Sequence, residues 1–123
     1  MTAHDFVKNY YMHDSSIDNV EVLDNGRTIV LWVDFSYWMQ EEYKDGDPEN
    51  GTIKITFYDV SDYTIPENVN WDEIGVFSSY VSGETVIFNL ENDMAYLRSG
   101  VVGDFLELSI CSNRILVEAV DPT

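Results

Sequence analysis

The sequence predicts a β-dominated fold: an antiparallel sandwich or a partly closed barrel of about seven or eight strands, preceded by a short helix. Three observations predict it. Apolar side chains recur at every second position over most of the chain, turn-forming residues separate these runs, and only the N-terminal segment has helical spacing. The 123 residues, of which 45% are hydrophobic, are expected to form one domain, residues 1–123, with enough apolar material for a core.

The helix is predicted over residues 2–11. Thr2 is a candidate N-cap, and Asp5 stands three residues later, where its carboxylate can close a capping box. Phe6 and Tyr10 are four residues apart, so they share one helical face. Because so short a helix is unstable alone, that face is expected to pack on the rest of the fold.

A hairpin is predicted next, because residues 17–22 and 29–37 both alternate apolar and polar side chains. Asn25-Gly26 lies between the two runs and favours a two-residue type I′ turn, in which both central residues have positive φ. The second run carries large apolar groups on both faces, so we expect it to be a central strand. The residues predicted to share its first face are Ile29, Leu31, Val33, Phe35 and Tyr37.

Further strands are predicted from the same alternation over residues 52–60, 76–81, 84–90, 104–111 and 114–120. The last two strands flank Ser112-Asn113, which favours a tight turn and therefore a closing hairpin. Residues 61–70 are expected to be irregular, and residues 94–98 fit either a short strand or a helical turn.

The charge balance excludes two classes of partner. The chain has 6 Lys plus Arg against 23 Asp plus Glu, a formal net charge of −17. A surface of that sign repels nucleic-acid phosphates and anionic lipids, so neither nucleic acid nor a membrane is expected as a partner. No signal peptide or membrane-spanning segment is apparent, and the single Cys111 fits a reducing compartment, so a cytoplasmic location is expected.

The consecutive residues His13-Asp14-Ser15 supply the three residue types of a hydrolytic triad. Neighbouring residues of an extended chain point apart, so we interpret the motif as a structural turn between the helix and the first strand. The two histidines and Cys111 have no metal-ligand spacing, and no glycine-rich phosphate loop is present. We therefore predict no catalytic residue, no metal and no cofactor.

The loop over residues 39–51 is the strongest candidate site, because it combines acidic and aromatic side chains. Its acidic run resembles the first half of a calcium loop, but Asn50 and Thr56 occupy the positions where an EF-hand has Gly and Glu. A solvated acidic loop without a metal is therefore predicted. The residues expected to contact a partner are Trp38, Glu41, Glu42, Tyr43, Asp45, Asp47 and Glu49.

Several short motifs carry a resemblance to a known group of proteins. They are His-Asp-Ser-Ser-Ile at residues 13–17, Leu-Trp-Val-Asp at residues 31–34, Ile-Thr-Phe-Tyr-Asp-Val-Ser at residues 55–61, and the closing segments 105–111 and 117–119. The chain resembles small uncharacterised bacterial β-rich domains with a His-Asp-Ser-x-Ile opening, some of which are similar to immunity proteins encoded beside secreted toxins. The resemblance implies a protein partner and brings no catalytic residues.

The expected function is a non-enzymatic acidic protein-binding domain, most concretely an immunity-like inhibitor that covers a basic toxin. The acidity would also fit a housekeeping domain in which the charge serves solubility alone. Two other functions stay open at this point. Exposed Trp and Tyr side chains would suit a small carbohydrate-binding module. A buried carboxylate pair in a deep pocket would instead indicate a small β-barrel enzyme. The sequence predicts no particular oligomeric state.

Overall fold

The computed structural model describes residues 1–71, 74–92 and 106–120. Within these residues, eight antiparallel strands form one sheet that is not closed into a barrel, and one short α-helix precedes it. The predicted β-dominated fold with an N-terminal helix is therefore confirmed. The helix α1 spans Ala3–Asn9. The strands are β1 Ser16–Leu23, β2 Thr28–Ser36, β3 Asn50–Tyr58, β4 Asp62–Thr64, β5 Ile74–Ser82, β6 Thr85–Asn92, β7 Leu106–Cys111 and β8 Arg114–Ala119.

The sheet folds over on itself around α1. Its strand order is β4-β7-β6-β5-β1-β2-β3-β8, and among the described residues β1 pairs with β5 through Ser16 and Gly75 alone. The ring centroid of Phe6 in α1 lies 6.1 Å from that of Phe57 in β3 and 6.1 Å from that of Phe88 in β6. Since β3 and β6 lie on opposite sides of the β1–β5 junction, the two halves of the sheet face each other across this helix.

The N-terminal helix has the predicted cap and the predicted apolar face. The backbone N–H of Asp5 donates to Thr2 Oγ1 at 3.1 Å, and Asp5 Oδ2 accepts from the backbone N–H of Thr2 at 3.3 Å, which completes the capping box. The rings of Phe6 and Tyr10 stack with centroids 5.6 Å apart. No helix among the described residues is long and apolar enough to cross a membrane.

The link between β1 and β2 is four residues long, and the two-residue turn predicted at Asn25-Gly26 is wrong in that respect. Both residues do have the positive φ that was predicted, 56° for Asn25 and 89° for Gly26. Asp24 is also left-handed, with φ 51°. The carbonyl of Arg27 accepts from the backbone N–H of Val60 at 2.9 Å, so the four-residue link is bonded to the segment that follows β3.

The strand β2 is central, between β1 and β3, as predicted. It ends at Ser36, so Tyr37 does not continue the strand as expected but begins a 3₁₀ turn, Tyr37–Met39. The backbone N–H of Gln40 donates to the carbonyl of Tyr37 at 3.0 Å and closes this turn. The residues of β2 and β3 that are buried as the alternation predicted are Ile29, Leu31, Val33, Phe35, Ile53, Ile55 and Phe57.

The closing hairpin predicted at Ser112-Asn113 is not formed. The strand β7 pairs with β4 and β6, whereas β8 pairs with β3 at the opposite edge of the sheet. The buried Ser112 donates its hydroxyl to the carbonyl of Tyr58 at 2.6 Å, and Tyr58 is the last residue of β3. This contact holds the chain where it crosses from one half of the folded sheet to the other.

The short edge strand β4 lies in the segment 61–70, which was expected to be irregular. Three residues are too few to show an alternating pattern, and β4 exists because Tyr63 and its neighbours pair with β7. The backbone N–H of Ser61 donates to the carbonyl of Cys111 at 3.1 Å and continues this pairing. The strand or helical turn proposed for residues 94–98 lies outside the described residues.

Candidate functional site

The acidic loop joins β2 to β3, and the side chain of Gln40 fixes its first residues to the rest of the protein. Gln40 Nε2 donates to the carbonyl of Tyr11 at 2.7 Å and to that of Ser36 at 3.0 Å. Gln40 Oε1 accepts from the backbone N–H of Tyr11 at 3.0 Å. The amide therefore ties the loop both to the end of β2 and to the segment that leaves α1.

The loop also has internal contacts that shape it. The hydroxyl of Tyr43 donates to the carbonyl of Asp47 at 3.1 Å. The backbone N–H of Lys44 donates to Asp47 Oδ2 at 3.1 Å, and the backbone N–H of Asp47 returns a bond to the carbonyl of Lys44 at 3.0 Å. At the base, the backbone N–H of Trp38 donates to the carbonyl of Glu49 at 3.1 Å. These bonds make the acidic loop a closed turn with a defined backbone.

An open cleft of about 1250 Å³ lies between this loop and the end of α1. It is lined by residues 7–11, here called the helical wall, and by residues 39–43 together with Asp47, here called the acidic wall. Tyr37 and Gly51 also line it. The cleft is therefore bounded by segments that are far apart in sequence and are joined through Gln40.

Aromatic rings connect the cleft to the core. The ring of Tyr37 meets the ring of Phe35 edge-to-face, with centroids 5.2 Å apart and an interplanar angle of 89°. Phe35 in turn contacts Tyr10 at 5.9 Å, and Tyr10 stacks on the buried Phe6. A Cβ at Gly51 would lie 2.6 Å from Tyr37 Cε2, so the ring of Tyr37 occupies the space that any other residue at position 51 would fill.

The structure brings four of the seven predicted contact residues to this cleft. Glu41, Glu42, Tyr43 and Asp47 line it. The carboxylates are exposed, and Tyr43 is half-buried. The other three predicted residues lie on the same loop or at its base but do not line the cleft: Trp38, Asp45 and Glu49. Trp38 is 45% exposed, as an anchor residue requires, while its backbone closes the base of the loop.

Sequence reasoning missed the aromatic part of the site. Tyr10, Tyr11 and Tyr37 line the cleft, yet none of the three was among the predicted contact residues. The doublet Tyr10-Tyr11 was the available signal, because an amphipathic helix needs only one of two adjacent rings for its buried face. Tyr11 is accordingly 53% exposed.

A second exposed aromatic row continues from the rim of the cleft. The ring of His13 lies 5.9 Å from the ring of Tyr11 and 5.7 Å from that of Phe77, centroid to centroid. Phe77 is 46% exposed. The sequence did not indicate this row, because Phe77 belongs to β5 and reaches His13 only through the fold.

The His13-Asp14-Ser15 motif forms hydrogen bonds with the end of β2. Ser15 is buried, and its Oγ accepts from the backbone N–H of Ser36 at 3.0 Å. Ser36 Oγ donates to the carbonyl of Asp14 at 2.8 Å. The ring nitrogens of His13 face other groups: Nδ1 bonds with the carbonyl of Phe77, and Nε2 lies 3.5 Å from Asp14 Oδ1. The motif therefore joins the start of β1 to the end of β2.

The buried polar side chains of the described residues are all hydroxyls: Ser15, Ser36, Thr56 and Ser112. No Asp or Glu is buried in residues 1–71, 74–91 and 106–120, where side-chain burial is described. Nor do those ranges contain a group of three or more His, Cys, Asp or Glu side chains that could hold a metal ion. Cys111 is a half-buried free thiol.

Comparison with known protein families, with curated proteins and with solved structures gives no match to this chain. The observations that bear on function are therefore the shape, the charge and the aromatic lining of the cleft. It combines three exposed carboxylates, Glu41, Glu42 and Asp47, with several tyrosine rings.

Proposed function

We propose that the protein is a non-enzymatic binding domain for a basic protein, and most specifically an immunity-like inhibitor of a basic toxin. One observation carries the proposal: an acidic loop, fixed by hydrogen bonds through Gln40 and Asp47, borders a cleft lined with tyrosines. Tyrosine is enriched at the centres of protein interfaces, where its ring supplies contact area and its hydroxyl a hydrogen bond.

The net charge of −17 supports the choice of a basic partner. Opposite charges accelerate encounter, and electrostatic steering raises association rates by roughly ten- to a thousandfold over neutral pairs at low salt. Toxins that degrade nucleic acid need a basic cleft to hold phosphates. A protein that presents Glu41, Glu42 and neighbouring carboxylates on one loop would cover such a cleft and block it.

The fixed shape of the loop supports the same proposal. A loop that becomes ordered only on binding loses conformational entropy at that step, which weakens the complex. Here Tyr43, Lys44 and Asp47 are already joined by hydrogen bonds, and Trp38 is bonded to Glu49 at the base. The loop backbone that carries the carboxylates therefore has a defined shape before any partner arrives, and the Asp47 carboxylate is itself fixed by the backbone of Lys44.

Co-expression with the product of the neighbouring reading frame tests this proposal. We expect a one-to-one complex on size exclusion and loss of the toxin's activity when the chain is added. The loop variant Glu41→Gln/Glu42→Gln should weaken the complex, and Glu84→Gln/Glu107→Gln, which removes the same charge from exposed positions outside the acidic loop, should not. Absence of a complex contradicts the proposal. A salt-independent glycan-array signal that is lost in Trp38→Ala would replace it with carbohydrate binding.

A further inference from the structure

We propose that the cleft between α1 and the acidic loop is a binding site for an arginine side chain, carried on a basic segment of the partner. This inference rests on the proposed function and specifies which group of the partner is recognised, and where. It follows from three properties of the cleft: its aromatic lining, the sign of its charge and the way its two walls are joined.

The aromatic lining suits a flat cation. Tyr11 is 53% exposed and Tyr43 is half-buried, so both rings are partly open to solvent where they line the cleft. Tyr10 and Tyr37 complete the aromatic lining. A guanidinium group stacks on such rings through cation–π attraction, and it is less strongly hydrated than the ammonium group of lysine. Gly51 is what leaves room for the ring of Tyr37 at this position.

The charge of the lining selects a cation. Glu41, Glu42 and Asp47 contribute three carboxylates, and Lys8 on the helical wall is the one basic residue that lines the cleft among the described residues. A carboxylate accepts two parallel hydrogen bonds from a guanidinium, whereas an ammonium acts as a point charge. An arginine side chain could therefore form hydrogen bonds with the carboxylates and stack on a tyrosine ring at the same time.

The width of the cleft is set before binding. The side chain of Gln40 bonds to the backbone N–H and the carbonyl of Tyr11 and to the carbonyl of Ser36. One side chain therefore links the helical wall to the acidic wall. A preformed cleft loses little entropy when it binds a side chain. Tyr11, at the rim, adds an exposed ring beside the entrance.

A fluorescent peptide with three arginines separated by glycines provides the probe, and fluorescence anisotropy provides the readout. Two matched peptides carry lysine or citrulline in place of arginine; citrulline keeps the shape of arginine but has no charge. At about 20 mM salt, where the screening length exceeds the size of the cleft, we expect the arginine peptide to bind at least about fivefold more tightly than the lysine peptide. The citrulline peptide should not bind measurably.

Variants locate the site. Glu41→Gln/Glu42→Gln should weaken binding of the arginine peptide about fivefold or more, since each exposed ion pair contributes up to roughly a fivefold effect. The control Glu84→Gln/Glu107→Gln removes two exposed carboxylates elsewhere and should change the affinity less than about twofold. Gly51→Ala, which displaces Tyr37, should also weaken the arginine peptide, and circular dichroism verifies that each variant is folded.

The outcomes separate this inference from the proposed function. If the chain binds neither the arginine peptide nor the toxin, both fall. If the toxin binds but the cleft and control variants lose equal affinity for the peptide, the cleft is not the site and the proposed function stands. Equal affinity for the arginine and lysine peptides would likewise overturn arginine recognition, because simple charge attraction would then account for binding.

Discussion

The ring of Tyr37 lies against the backbone of Gly51 so closely that a Cβ at position 51 would come within 2.6 Å of Tyr37 Cε2. Tyr37 follows β2, and Gly51 belongs to β3, opposite Phe35 in the register. The strand pairing thus brings a residue without a side chain under a ring that lines the cleft. The shape of the candidate site depends on this one glycine.

Gly51→Ala is expected to destabilise the protein by about 1–2 kcal/mol, because the added methyl group forces the ring of Tyr37 away from its contact with Phe35. Urea unfolding of the variant measures the loss. In a Tyr37→Ala background the same substitution should have little effect, since the ring is then absent. An equal loss in both backgrounds would contradict the role of this contact.

Gly26→Val is expected to destabilise the protein by about 1 kcal/mol or more, because a β-branched residue resists positive φ. Gly26 has φ 89°, and a Cβ there would also lie 2.7 Å from Tyr63 Cε1. Gly83→Val is the matched control, since Gly83 has φ 61° with no atom within 4 Å of the added Cβ. Thermal unfolding should show the larger loss for Gly26→Val, and part of it should be recovered in a Tyr63→Ala background.

Ser15→Ala is expected to cost about 1–3 kcal/mol, because it leaves the buried backbone N–H of Ser36 without its acceptor. Chemical denaturation measures this loss. Ser15→Ala should leave peptide binding at the cleft unchanged once the variant is folded, because Ser15 does not line it. Ser109→Ala, on β7, serves as a control in which the buried Ser15–Ser36 bond is intact. A stability unchanged by Ser15→Ala would contradict the structural interpretation of the His13-Asp14-Ser15 motif.

The pKa of Asp5 is lowered, first by the hydrogen bond from the backbone of Thr2 and then by the Thr2 side chain. A carboxyl group whose pKa is lower in the folded than in the unfolded state contributes stability above its unfolded pKa and loses it as the pH falls through the folded pKa. The stability difference between the native chain and Asp5→Asn should therefore favour the native chain at pH 7 and shrink below about pH 4. Urea unfolding at several pH values tests this, and a difference that grows on acidification would contradict it.

The sequence predicted correctly those features that depend only on residues close together in the chain. The cap formed by Thr2 and Asp5 was predicted because it requires a spacing of three residues and nothing else. The inward faces of β2 and β3 were predicted because alternation in a strand directly records which side is buried. The end of β2 at Ser36 was not predicted, because the apolar ring of Tyr37 continues the alternating pattern by one more residue.

Features that depend on distant residues were not predictable in this way. The crossing at Ser112 depends on a hydrogen bond to Tyr58, 54 residues earlier in the sequence. The cleft depends on Gln40 reaching Tyr11, 29 residues away, and on Gly51 lying under Tyr37. The acidic residues of the cleft were predicted because they are close together in the sequence. Its tyrosines come from three separate segments, so no local pattern indicated that they share one site.

Anchor residues at an interface affect the dissociation rate, whereas surface charges affect the association rate, so the two effects can be measured separately. In a complex with the proposed basic partner, Trp38→Ala or Tyr43→Ala should mainly speed dissociation, because these side chains contribute contact area once the partner has docked. Surface plasmon resonance resolves the two rates. A variant of Trp38 or Tyr43 that slows association and leaves dissociation unchanged would contradict their assignment as anchors.

The salt dependence of association tests the central claim most directly, namely that the acidic loop steers a basic protein to this surface. Stopped-flow mixing with the proposed basic partner between about 20 and 500 mM salt measures the association rate as the screening length shrinks from roughly 20 to 4 Å. The native rate should fall about tenfold or more over this range. Replacing Glu41, Glu42, Asp45, Asp47 and Glu49 by Gln or Asn should slow association at low salt and flatten its salt dependence, with dissociation little changed. If this variant associates as fast as the native chain at low salt, the claim is contradicted.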